Sequence, residues 1–250
     1  MLNPILYTEE RMRGQAAQFR NMNSIRGSGE AMAINDSTSA EQCIRKIINI
    51  LRAEGAGGLD QYEERLKSNA GNEPALNALF CEARAAIMFL DNRFQVVMRE
   101  RPDLQVGLGK EIAYAEVKCF WEKEQDRLDD EAMRMATNSN LMVPIGNLVP
   151  TEGKEAWQQI TDVAMNKVDQ YMDGAPNILV VVSHSDALTL MAATAVHAYD
   201  AQVARTNDPR LRQLNGIMLV NSEIGFGQRG PWNVEYCQTA SPCVPLRRCK

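Results

Sequence analysis

The chain has 250 residues, 45% apolar, 24% charged and only 6% aromatic, which predicts a soluble globular protein with a core of aliphatic, Ala and Met side chains. Its net charge of -5 is uneven, because residues 204 to 250 hold seven Lys/Arg against three Asp/Glu (+4) and the remainder therefore carries -9. An acidic balance of this kind argues against nonspecific coating of duplex nucleic acid, and six scattered cysteines argue against a secreted disulfide scaffold.

Residues 1–38 are polar and mixed, and read as an arm preceding a single α/β domain over 39–250. Glu9, Glu10, Arg11 and Arg13 are unlike the apolar stretch of a signal peptide. No run approaches the roughly 20 apolar residues of a membrane span, so the expectation is a cytoplasmic protein in reducing surroundings, with no membrane partner. Thr38-Ser39-Ala40-Glu41 has capping-box spacing. It opens a helix whose face is Cys43, Ile44, Ile47, Ile48 and Leu51, ended by Gly55 to Gly58. A second helix is predicted over Leu59 to Ser68. Asn72-Glu73-Pro74 starts a third, with proline in the first turn; Leu76, Leu79, Phe80, Ala83, Ile87 and Leu90 recur at helical spacing, and Glu82 flanks that stripe.

Three β-prone runs follow, at 94–98, 103–108 and 112–120, with Gly107 to Lys110 supplying turn chemistry between the last two. In the third, period 2 puts Ile112, Tyr114, Glu116, Lys118 and Phe120 on one face. Ala113, Ala115, Val117 and Cys119 take the other, a small apolar face suited to packing under a helix. An acidic helix is predicted at 122–136, a polar loop at 137–150, and a longer helix from Gly153 to Met172 with Trp157, Ile160, Val163, Ala164 and Val168 inward. Asn177 to Ser183 is almost continuously apolar, as a strand buried on both faces would be. An Ala-rich helix capped by Ser185 or Asp186 runs to about Ala204, and two further strands are expected at 216–221 and 233–238.

Pro102-Asp103 and Glu116-Val117-Lys118 thus fall on neighbouring strands. Two carboxylates and a lysine so placed can hold a divalent metal and an activated water. Taken alone, Glu-x-Lys on a strand face is also what a solvated charge couple looks like. Glu82 could equally be a solvated helix flank, and Pro102-Asp103 a strand-entry turn.

The order of elements, with those residues on the second and third strands, resembles the PD-(D/E)XK nuclease superfamily, the restriction-endonuclease-like phosphodiesterases. The resemblance covers about residues 73–183, leaving 184–250 as an extension. It implies a three-layer core of helix, three strands, helix and strand, with a mixed central sheet and extra N-terminal helices. By the same resemblance Asp103, Glu116 and Glu82 are metal-binding carboxylates, the Val117 carbonyl is a further ligand, and Lys118 is the catalytic lysine. Mg²⁺ is the implied ion, with Mn²⁺ as a substitute, and both prefer oxygen donors. The Gln-x-x-x-Tyr signature of the RecB-like branch is absent: Gln158, Gln159 and Gln170 all lack a tyrosine four residues on. The acidic stretch 122–131 has no counterpart in the family pattern.

Rival motifs lack the context they need. Gly225-Phe-Gly-Gln-Arg-Gly230 matches a dinucleotide fingerprint but runs into Pro231 and a β-prone segment, where a helix is required. Ser183-His184-Ser185-Asp186 contains triad residue types, but sequence neighbours cannot form the relay. His197 reads as a packed or surface histidine. Two histidines exclude a His-rich metal centre. Cys43, Cys81 and Cys119 read as small core hydrophobes, and Cys237, Cys243 and Cys249 are too widely spaced for a typical zinc site. In the basic C-terminal part, Arg205, Arg229 and Trp232 are candidate nucleic-acid contacts, with solvated surface as the alternative. The expected function is metal-dependent hydrolysis of phosphodiesters, DNA before RNA, in a possible homodimer. The competing expectation is an inactive descendant of the fold that binds nucleic acid or protein.

Overall fold

A computed structural model describes residues 40–120, 156–183, 192–206, 208–221, 232–240 and 242. The elements in chain order are α1 (Ala40–Ala53), α2 (Leu59–Ser68), α3 (Glu73–Asp91), β1 (Gln95–Met98), β2 (Leu104–Leu108), β3 (Glu111–Phe120), α4 (Ala156–Asn166), β4 (Asn177–Ser183), α5 (Ala192–Thr206), β5 (Leu214–Asn221) and β6 (Asn233–Gln238). The predicted arm, the acidic helix and loop at 121–150, and the cap of α5 lie outside the described residues.

All six strands join one mixed sheet in sequential order. β1, β2 and β3 form an antiparallel meander, β3, β4 and β5 run parallel, and β6 returns antiparallel to β5. β4 is buried at every position, as expected for a strand with parallel neighbours and a helical layer on each face. Its side chains divide by parity. Ile178, Val180 and Val182 join the core formed with α1, α2 and α3, whereas Leu179 and Val181 join the core formed with α4 and α5. β3 obeys the same rule: Ala113, Ala115 and Val117 pack under the first layer, the small apolar face read from sequence.

Local chemistry sets the element ends. The Asn72 side chain accepts from Ala75 N–H at 3.4 Å and Pro74 occupies the first turn, so α3 starts where the sequence predicts. After α1, the backbone latches onto β1 through Gly57 N–H to Val96 O and Met98 N–H to Gly57 O, both 2.9 Å. Gly58 makes that approach possible. It sits at φ +71°, and a Cβ there would lie 2.1 Å from the Met98 carbonyl oxygen.

Two expectations are corrected. The predicted helix over Gly153–Met172 stops at Asn166, turns at Lys167 and continues only as a 3₁₀ turn over Val168–Gln170. Trp157, Ile160, Val163, Ala164 and Val168 nevertheless pack on the second core as predicted. Cys81 and Cys119, read as core thiols, are joined by a disulfide with Cα atoms 5.8 Å apart; Cys43 is a partly buried free thiol. Among the described residues no helix is long and apolar enough to cross a membrane.

The start of β4 is held by Asn177, which is 1% exposed. Its Oδ1 accepts from Met172 N–H at 2.8 Å, and its Nδ2 donates to the carbonyls of Met172, Ala175 and Gln213 at 3.0, 2.9 and 3.1 Å. One amide thereby satisfies backbone groups from two loops. Asn177→Ala leaves them dry and unpaired, and should lower unfolding stability by about 2–4 kcal/mol. Chemical denaturation followed by circular dichroism would measure it, with exposed Ile112→Ala as the near-neutral control.

Candidate active site

β3 is longer than its partner on one side. β2 pairs only with residues 111–115, whereas β4 pairs along β3 as far as Phe120. From Glu116 onward the β2-side edge of β3 is therefore uncovered, and a notch opens in the sheet. The notch is the floor of a cleft of about 610 Å³ lined by Glu116, Val117, Lys118 and Cys119 of β3, by Asp103, by Lys167 and by one face of α3 that includes Glu82.

Each carboxylate arrives by a separate route. Asp103 stands one residue before β2, after the cis Arg101–Pro102 peptide, where the ladder has no further strand residue to offer. Its Oδ2 accepts from Val117 N–H at 2.8 Å, replacing the missing ladder bond. Glu116 is 2% exposed and points, by strand parity, toward the layer that carries Lys167. Glu82 projects from the middle of α3 and is 7% exposed. The disulfide ties α3 to β3 one residue from Glu82 and one from Lys118. Lys118 is exposed at the mouth of the cleft.

Sequence reasoning missed two cations. Arg65 of α2 donates through Nη2 to Glu82 Oε1 at 2.8 Å and through Nη1 to the Arg99 carbonyl at 2.8 Å. Lys167, at the turn that ends α4, donates to Glu116 Oε1 in a short ion pair and to Gln170 Oε1 at 2.8 Å. One signal for Lys167 was present: it lies at the flank of the Val163, Ala164 and Val168 stripe, where a lysine stem can follow apolar surface and deliver its charge inward. Beyond the end of α4, Lys167 and Gln170 thus reach Glu116 as a hydrogen-bonded pair, and neither belongs to a Gln-x-x-x-Tyr pattern.

Among the described residues, the second oxygens of Glu82 and Glu116 are buried without a hydrogen-bond partner. Burial pushes the Glu82 carboxyl up to about 7, with Glu116 adding to the rise and Arg65 opposing it. Asp103 is raised well above the usual carboxylate range by burial and by Glu82 and Glu116, against the Val117 hydrogen bond. The donors are all oxygen, as hard divalent cations require. A Mg²⁺ ion commonly takes one or two carboxylates, completed by water and phosphate oxygens, and the orphaned oxygens fit that demand. Among the described residues, however, no group of three or more His, Cys, Asp and Glu side chains is arranged to hold a metal ion.

The remaining candidates lie elsewhere. Arg205 is exposed in the last turn of α5, and Trp232 packs beside the first core and donates to Asp91 Oδ2 at 2.9 Å. Neither lines the cleft. Arg229, Cys243 and Cys249 lie outside the described residues, and Cys237 is a partly buried cysteine of β6. Ser183 ends β4, with His184 to Asp186 outside the described residues. No protein-family model, curated protein or solved structure matches the chain.

The raised Glu82 carboxyl has a consequence for stability. Between its ordinary 4.5 and about 7, the folded chain keeps a proton on Glu82 that the unfolded chain has lost. Stability of the metal-free protein should therefore fall as pH rises through that window, by a few kcal/mol at most. Glu82→Gln should flatten the slope and raise stability at pH 8, measured by denaturant unfolding between pH 5 and 8.

Proposed function

We propose that the chain is a metal-dependent phosphodiesterase on a restriction-endonuclease-like core, cutting DNA in preference to RNA. The observation that carries this reading is the convergence of Glu82, Asp103, Glu116 and Lys118, from a helix, a strand entry and a neighbouring strand, on one cleft. It is supported by the two orphaned carboxylate oxygens and by the all-oxygen donor set.

Asp103 and Glu116 would hold Mg²⁺ or Mn²⁺, with Glu82 as a further or water-mediated donor. The Val117 carbonyl shares the uncovered strand edge with the N–H that Asp103 caps, since both groups of a strand residue face the same neighbour. The ion, when bound, would supply Lewis acidity toward a phosphoryl oxygen and lower the pKa of water. Lys118 contributes a positive charge at the cleft mouth, placed to orient the phosphate and offset charge developing in the transition state. Arg65 holds Glu82 in orientation through a bond whose other arm is anchored on backbone. Burial raises the Glu82 carboxyl to about 7, so positive charge in the cleft would favour its ionised, metal-binding form, with the proton passing to solvent. Cutting both strands of a duplex would suit a homodimer.

A second reading is a catalytically inactive module of the same fold that binds nucleic acid or a protein. The Lys167–Glu116 ion pair favours it, because the chain neutralises a site carboxylate with its own cation.

Linear, circular and single-stranded DNA, and RNA, are the substrates to test with Mg²⁺ and Mn²⁺. Cleavage should need the ion, and Asp103→Asn, Glu116→Gln and Lys118→Ala should each reduce it by about 10²-fold or more. Activity that survives all three substitutions refutes the site, whereas binding without cleavage under every metal condition favours the inactive module.

A further inference from the structure

Lys167 is not part of the motif, yet it is the cation that Glu116 already holds. Glu116 is 2% exposed and lines the cleft, its Oε1 is taken by the Lys167 ammonium, and its Oε2 is buried with no hydrogen-bond partner among the described residues. A buried carboxylate in that state is half satisfied, and it invites a second positive charge.

The lysine itself is held less firmly than the carboxylate. Its side chain is 25% exposed against 2% for Glu116. It springs from the turn that closes α4, between Asn166 and the 3₁₀ turn at Val168. A helix C-terminus favours a cation, and Gln170 offers a neutral acceptor at 2.8 Å. An ammonium released from Glu116 therefore keeps two favourable partners and stays at the cleft. A divalent ion on the same carboxylate would bring twice the charge of the ammonium.

We propose that Lys167 is an exchangeable counter-cation: it neutralises Glu116 in the metal-free chain and is displaced into the cleft when a divalent cation takes that carboxylate. The inference rests on the metal-binding reading above and adds a positioning residue to it. Both Lys118 and Lys167 line the cleft, and the exchange frees the Lys167 ammonium from Glu116 for a phosphate only once the ion has entered.

The test uses the full chain and the metal alone. Isothermal titration with Mg²⁺ and Mn²⁺ should show Lys167→Met binding the ion on the order of tenfold tighter than wild type, the scale of an ordinary coupling free energy. Lys167→Arg, which keeps the charge, should stay near wild type. A second measurement needs no variant. Lys167 should react faster with an amine-acylating reagent once Mg²⁺ is added, read by peptide mass spectrometry against exposed Lys110 as the internal standard.

Tighter binding by Lys167→Met together with rising Lys167 acylation supports the exchange. Unchanged or weaker binding by a folded Lys167→Met, or Lys167 acylation indifferent to the ion while wild type binds it, overturns the exchange and leaves the metal site standing. Absence of divalent-ion binding by wild type and both variants overturns the metal reading and the exchange with it.

Discussion

Three carboxylates held almost dry beside one another need positive charge, and much of the local architecture is explained by where that charge comes from. Glu82, Asp103 and Glu116 are each less than a tenth exposed. Water cannot screen them well, so their mutual repulsion is large unless cations or protons intervene. The chain answers from three directions. Arg65 reaches Glu82 from α2, Lys167 reaches Glu116 from the end of α4, and a backbone N–H of β3 serves Asp103. The two oxygens left over mark where the internal answer stops.

The fold delivers these groups through a mismatch in strand length. Had β2 extended beyond Leu104 to match β3, its backbone would cover Glu116 to Phe120 and the cleft would be an ordinary antiparallel ladder. Because β2 stops short, the edge of β3 keeps polar backbone groups that must find partners, and Asp103 is drawn into that role. Parity then separates neighbours on β3: Val117 enters the α3 core while Glu116 faces the opposite layer. A site at the rim of a rigid sheet draws on both helical layers without interrupting either hydrophobic core.

Much of this was legible in the residues, for reasons that can be named. β4 coincided with its predicted range because a strand buried on both faces reads as an unbroken apolar run. α1, α2 and α3 were legible from amphipathic spacing, from Gly55 to Gly58 and from the Asn72-Glu73-Pro74 start. Glu82, Asp103, Glu116 and Lys118 were legible only together, since each alone looks like a solvated charge. The turn at Lys167 was not legible. No Gly or Pro follows until Gly174, so nothing local separates a continuing helix from a 3₁₀ turn, and tertiary contacts decide. The Cys81–Cys119 bond was hidden because pairing depends on packing α3 against β3, across 38 residues of sequence. Lys167 was hidden for the same reason, its partner being 51 residues away.

That last separation bears on how the protein tolerates change. The Asp103–Val117 contact closes a connection of 14 residues and the Lys167–Glu116 contact one of 51. Loop-closure entropy grows only logarithmically, so the longer closure is the less favourable by about 1 kcal/mol, and doubling it again adds about 0.6 kcal/mol. The hairpin carrying Asp103 has little freedom in length, because one residue more or fewer would shift the register that sets the notch. Between Glu116 and Lys167 the separation is already 51 residues, so added length there changes the closure entropy little. An acidic stretch such as 122–131 can therefore be accepted there at small thermodynamic expense, and this is where the chain can diversify while its carboxylates stay in place.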